Sequence, residues 1–460
     1  MNQSQQSRES LRRRIVGAGA WVFGGHVAGQ ALRLAGNLLM TRLLVPEMFG
    51  VMAVANVLIM GLALFSDFGL RQNIIQSRRG NDRAFLNTAW VLQIIRGCLI
   101  WLVALLAAFA LNYLSGRGWI AEGSVYDEPV LSDVIVALSF MVLISGFNST
   151  SLVTSNRDLA LGKITILEIT SQVVAIVVMV FWAISERSIW ALVAGALVGA
   201  SVKMILSHRI LPGEGNRLQW DDQAFNEIFH FGKWIFLTSI LGFFASSLDR
   251  ILLGALIDSK MLGLYSIAFL LVSAFLQTLQ KIFGNVAFPA FSEVVRERPH
   301  DLVNVYYKFR LPVDVFALLL FGILFSSGDL LVSILYDERY LPAGNMLEVL
   351  SISVFAIRFS LAGQCFLALG KPKLLMLLLA IKVGFLILSI PAVFDIWGFD
   401  GVLWVIGFSY LVNLPFLFYF QTKYFKIDIN RELIVLPLVI IGYGIGFAAE
   451  QILKAANWIL

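Results

Sequence analysis

Apolar runs long enough to cross a membrane alternate with short polar connections along the whole chain. A helical crossing of the hydrocarbon core takes about 20 mainly apolar residues. Such runs near 15–41, 47–67, 85–112, 130–153, 164–184, 188–208, 231–257, 261–285, 312–335, 343–368, 373–394 and 401–420 predict twelve transmembrane helices. A further run near 433–449 predicts a thirteenth, and Glu450–Leu460 is open between an interfacial segment and a shortened fourteenth helix. Pro212, Gly213, Glu214 and Gly215 mark a connection near Leu211–Gln223, and Pro415 predicts a kink in the twelfth run. Met1 to Arg14 is polar with no signal-peptide cleavage pattern, so the first run is expected to stay as an anchored helix.

The pattern repeats. Gly19-Ala20-Trp21-Val22-Phe23 returns as Gly232-Lys233-Trp234-Ile235-Phe236, and Met48-Phe49-Gly50 returns as Met261-Leu262-Gly263, both at an offset of 213 residues. Leu159-Ala160-Leu161-Gly162-Lys163 returns unchanged as Leu367-Ala368-Leu369-Gly370-Lys371, at an offset of 208. Two copies in an apolar chain point to a transporter, since membrane carriers are commonly built from repeats about a central site.

Composition agrees: 58% of residues are hydrophobic and 14% charged, against about 25% charge in soluble domains. The fold class is therefore an all-α polytopic membrane protein. The net charge of +5 does not point to nucleic acid, because the placement of the 35 basic residues explains it. Most of them, including Arg12, Arg13, Arg14, Arg78, Arg79, Arg83, Arg157, Arg209, Arg217, Arg296, Lys308, Arg310, Lys371 and Lys423, fall on one side of the predicted spans. Arg42, Arg117, Arg187, Lys260, Arg339 and Lys454 fall on the other. The positive-inside rule makes the first side, and the N-terminus, cytoplasmic. Six spans per half is an even number, so both copies enter in the same direction and the repeat is parallel, with its pseudo-two-fold along the membrane normal. The domains expected are an N-terminal six-helix lobe at 1–210, a cytoplasmic linker at 211–230, a C-terminal six-helix lobe at 231–425 and an additional segment at 426–460.

Seven basic residues remain within or at the edge of spans: Arg33, Arg96, Lys203, Arg250, Lys281, Arg358 and Lys382. Each costs about 2.5–3.5 kcal/mol in lipid on insertion scales. Lys203 and Lys281 lie near cytoplasmic ends, where snorkelling explains them. Arg96, Arg358 and Lys382 lie near mid-span and are open between a cavity and a structural pair. Arg33 and Arg250 lie in the outer halves of the first and seventh spans. Their counterparts at the 213-residue offset are Ser246 and Asn37, so neither arginine is duplicated. Among acids, Asp249 and Glu168 are best embedded, and Asp67 sits at the cytoplasmic end of the second span. Asp249 is open between a local pair with Arg250 and ion coupling. The basic excess at depth predicts an anionic substrate, and arginine matches the geometry of phosphate oxygens.

Other chemistry is not signalled. Cys98 and Cys365 fall inside predicted spans and read as packing residues, with no CxxC or His/Cys cluster to hold a metal. His26, His208, His230 and His300 are scattered, and there is no Walker A loop. The longest outer connection, 112–129, is too short for a catalytic domain, so no enzyme activity and no cofactor are expected. The glycines of the first span, among them Gly25, Gly29 and Gly36, predict close helix packing.

Thr41-Arg42-Leu43-Leu44-Val45-Pro46-Glu47-Met48-Phe49-Gly50 resembles the first-loop signature of Wzx-type polysaccharide flippases. Phe65-Ser66-Asp67-Phe68-Gly69-Leu70, Ile74-Ile75-Gln76, Leu86-Asn87-Thr88-Ala89-Trp90, Gln93, Arg96-Gly97, Asp249-Arg250 and Gly263-Leu264-Tyr265 extend the likeness over roughly the first 425 residues. The family belongs to the multidrug/oligosaccharidyl-lipid/polysaccharide exporter superfamily. The resemblance implies twelve to fourteen helices in two lobes around a cavity lined by the first, second, seventh and eighth helices. It also implies a substrate, an oligosaccharide repeat unit on undecaprenyl pyrophosphate, flipped from the cytoplasmic to the periplasmic leaflet of a bacterial inner membrane. Export machinery such as a polymerase would be a partner; nucleic acid would not. On this reading Arg33, Arg96, Arg250, Lys281, Arg358 and Lys382 hold the substrate, and Asp67, Asp249 and Glu168 are candidates for ion coupling. A cationic-drug antiporter of the same superfamily, a membrane-embedded polymerase and a non-transporting scaffold are the alternatives.

Overall fold

The computed structural model describes residues 3–65, 70–77, 79–158, 160–213, 215–425 and 429–455, with backbone alone at 3–20, 22–23, 71–72, 230–238 and a few single positions. All regular secondary structure among the described residues is helical. The long helices are α1 Gln3–Leu43, α2 Pro46–Phe65, α3 Arg83–Gly116, α4 Pro129–Gly146, α5 Leu161–Ser185, α6 Trp190–Arg209 and α7 Asp222–Leu256. They continue as α8 Ser259–Ile282, α9 Leu302–Leu335, α10 Ala343–Leu350, α11 Ile352–Ala368, α12 Pro372–Ser409, α13 Leu414–Phe425 and α14 Pro437–Ala455. Their starts follow from local chemistry. Asp82 and Asp258 accept backbone N–H bonds from Ala84 and Met261 at the openings of α3 and α8. Pro129 and Pro372 open α4 and α12, where a missing N–H costs nothing.

The chain forms two compact units. The first comprises Met1–Leu44 and Val51–Phe243. Within it, Gly25, Gly29 and Gly36 let α1 lie directly on α5, against Thr165, Gln172 and Ile176, and Gln172 Nε2 donates to the Gly29 carbonyl at 3.0 Å. Gly97 of α3 and Gly146 of α4 meet backbone to backbone. Leu70, Ile74, Phe85, Ala89, Ala224 and Ile228 form a buried cluster at the start of α3 and α7. The segment after α6 is strapped to α3. Asn87 accepts the Arg217 N–H and donates to Gln219 Oε1, both at 3.0 Å, and Thr88 Oγ1 accepts the Asp221 N–H at 2.9 Å. Arg79 Nη2 reaches Asp221 at 2.6 Å and Asp82 at 2.8 Å.

The second unit comprises Val45–Gly50 and Phe244–Leu460. Here the first turns of α2 and α8, copies of one another, cross through Gly50 and Gly263. The last helix, α14, packs on α9 through Gly322 and Gly442, each with backbone of the other helix where a Cβ would lie.

Eleven stretches among the described residues have the length and apolarity of a span, and the chain is a multi-pass membrane protein. The first expected span, 15–41, lies in α1, much of which is described as backbone only. The runs expected at 373–394 and 401–420 appear as one stretch, Pro372–Phe425. It is broken at Gly398, which takes φ +60 and ψ −155 inside α12, a region essentially reserved for glycine. Pro415 does not kink a continuous helix: it sits in the first turn of α13, after a turn that ends α12. The identical pentapeptides also part company. Gly162 is helical near the start of α5, whereas Gly370 takes φ +69 and ends α11. Pro372 follows the second copy and disfavours helical geometry at Lys371.

Candidate functional site

Asp249, Arg250 and Lys382 come together in the second unit. Ser246, Ser247, Asp249 and Arg250 lie on one stretch of α7; Tyr265 and Phe269, four residues apart on α8, stack with centroids 6.2 Å apart. Asp249 is buried, and its Oδ2 accepts a short hydrogen bond from the Tyr265 hydroxyl. The Arg250 guanidinium sits 4.4 Å above the Phe269 ring and donates through Nη2 to the Ser246 carbonyl at 2.6 Å and Ser247 Oγ at 3.2 Å. Its Nε is 3.8 Å from Asp249 Oδ1, an ion pair too long for a hydrogen bond, and that buried Nε has no hydrogen-bond partner among the described residues.

Lys382 enters from α12, with Nζ 3.6 Å from the centre of the Tyr410 ring. In a continuous helix these residues would stand about 40 Å apart at 1.5 Å per residue. Their contact therefore requires the chain to turn back at the Gly398 break. Asp249 is within electrostatic reach of both Lys382 and Tyr410. Arg250 thus pairs with a carboxylate that Lys382 also reaches electrostatically, and three aromatic rings stand around them. Such a site suits an anion with several oxygens.

Arg358 lies elsewhere. It is 1% exposed, with Nε 3.0 Å from Asp314 and Nη2 3.5 Å from Glu432. Arg310 joins the same carboxylates and the Tyr306 hydroxyl, and Gln421 Nε2 donates to Tyr306 at 3.2 Å. Two arginines and two acids from α9, α11 and the 429–433 helix make a buried, charge-balanced network, the structural pairing left open for Arg358. Arg310, read from the sequence as a cytoplasmic residue, is fully buried.

The other residues singled out in the sequence are dispersed. Arg33 is exposed on α1, and Glu168 is exposed on α5 with its carboxylate 3.6 Å from Lys203. Arg96 is half-buried in α3 and donates to the Ala63 carbonyl at 2.5 Å. Lys281 is exposed in the last turn of α8. Asp67 lies outside the described residues. Sequence reasoning missed Tyr410, whose distance along the chain from Lys382 hides their meeting, and the partners of Arg358. No group of three or more His, Cys, Asp or Glu suited to a metal occurs among the described residues.

The family model described as polysaccharide biosynthesis protein matches residues 39–345. The chain is 23% identical over 413 residues to the teichuronic acid biosynthesis protein TuaB of Bacillus subtilis, covering 84% of this chain and 79% of that protein. It is 25% identical over 354 residues to the lipopolysaccharide biosynthesis protein WzxC of Escherichia coli, covering 75% and 67%. Its fold is similar to that of the lipid II flippase MurJ, with a TM-score of 0.65 at 12% identity over 96% of this chain and all of that one. A multidrug resistance MATE family transporter of the MOP superfamily matches with a TM-score of 0.60 at 13% identity, over 93% and 96%. A family match over more than half its length, carried on the fold of the MOP-superfamily transporters, places the chain in the polysaccharide biosynthesis protein family.

Proposed function

We propose that the protein flips a lipid-linked oligosaccharide repeat unit across the bacterial inner membrane, from the cytoplasmic to the periplasmic leaflet, with its N-terminus inside. The substrate class is a saccharide on a polyprenyl pyrophosphate, moved by ion-coupled alternating access. The observation that carries this reading is Arg250 paired with Asp249, with Lys382 within electrostatic reach of the same carboxylate. It gives the second unit a site with excess positive charge where lipid-soluble or cationic cargo would need an apolar or acidic one. The names of TuaB and WzxC support a role in polysaccharide synthesis. A guanidinium that retains an uncommitted Nε suits phosphate oxygens. Arg33 and Arg96 of the first unit are further candidates for headgroup contact, and Glu168 and Asp67 for ion coupling.

Deleting the gene and analysing membrane lipids tests the proposal. The expected result is a complete lipid-linked repeat unit accumulating on the cytoplasmic leaflet. Accumulation on the outer leaflet would indicate a polymerase and overturn it.

A further inference from the structure

We propose that Asp249 is an internal competitor for the anion site: in the empty carrier its carboxylate stands where substrate oxygens stand when the headgroup binds. The inference rests on the anionic-substrate reading above and concerns what regulates that site. Asp249 lies beside Arg250 on its own helix and accepts from Tyr265 on α8, with Lys382 of α12 and Tyr410, just past the end of α12, within electrostatic reach. The Tyr265 hydroxyl bond holds the carboxylate beside the cations while Arg250 Nε stays 3.8 Å away. Arg250 and Lys382 bring two positive charges, and Asp249 cancels one of them. A saccharide–pyrophosphate–polyprenol diester carries two negative charges. With the Asp249 carboxylate in place the site offers one net charge against two; with that carboxylate displaced or replaced by an amide it matches them.

Binding of the anion and displacement of the Asp249 carboxylate from the cations therefore reinforce each other, and linkage makes that coupling reciprocal. Asp249 consequently sets affinity.

The test uses the purified full chain in detergent and a short-chain polyprenyl-pyrophosphoryl glucose, whose two phosphates stay ionised across pH 5–8. Asp249→Asn, which can still accept the Tyr265 hydroxyl bond, is expected to tighten binding about tenfold or more. Tyr265→Phe frees the carboxylate to close on Arg250 and should weaken binding, while D249N/Y265F should bind like D249N. Arg250→Ala and Lys382→Ala should both bind weakly. If those two bind weakly but D249N binds no tighter than wild type, the competitor role is overturned and the site stands. If R250A and K382A bind like wild type, the anion site itself is overturned.

Discussion

Gly50 and Gly263 hold the same place in the two copies of the repeat, and each is pressed against the other copy. A Cβ on Gly50 would lie 1.9 Å from the Ser259 carbonyl oxygen, and one on Gly263 would lie 1.9 Å from that of Pro46. Ser259 and Pro46 are themselves counterparts at the 213-residue offset. Such reciprocity is that of a self-complementary contact between two copies of one motif. The small residues of the repeated motif are there because two backbones touch.

Gly50→Ala and Gly263→Ala are therefore expected to be equally damaging. Each must push backbone apart, at a cost of about 1–3 kcal/mol or more. Thermal unfolding of the purified variants measures this. Gly384→Ala in α12, where nothing lies within 4 Å of an added Cβ, is the contrast and should be neutral or slightly stabilising.

Arg358→Ala should fail through folding and not through transport. Removing it leaves Asp314 and Glu432 short of a partner in a buried network, and breaking such a pair costs roughly 3–5 kcal/mol. Glu432→Gln should destabilise in the same way. Arg250→Ala, in the candidate site, should leave thermal stability closer to wild type while reducing polymer export at matched protein levels.

The strap that follows α6 has its own pH signature. The Arg79 guanidinium, hydrogen-bonded to Asp221, holds that carboxyl below its ordinary value of 3.8. A lowered value means the contact is fully present above the ordinary carboxylate range and is lost as pH falls through the lowered one. Hydrogen exchange at 215–222 should stay slow down to about pH 4 and rise below it. Asp221→Asn should raise exchange across the neutral range as well.

Period and charge made much of this legible. The apolar runs place most helices, and the glycines of the first span do pack it against α5, at Gly25, Gly29 and Gly36. Motif residues such as Asn87 and Thr88 turn out to strap a connection, a role that no local pattern announces. Lys382 could be suspected from its cost in lipid, but Tyr410 could not, because only the reversal at Gly398 brings the two together. Arg310 misled because it stands just before an apolar run, where a solvated arginine and a buried, paired one have the same local sequence. Its partner Glu432 lies more than a hundred residues away in the chain.

The central claim is that this chain moves a pyrophosphate-linked saccharide lipid through a site that includes Arg250 and Lys382. The most direct measurement reconstitutes the full chain in vesicles and follows leaflet-to-leaflet transfer of a short-chain polyprenyl-pyrophosphoryl glucose. Wild-type protein should accelerate transfer well above protein-free vesicles, and R250A and K382A should each lose most of that acceleration. Transfer no faster than in protein-free vesicles, or R250A and K382A both indistinguishable from wild type, would contradict the account.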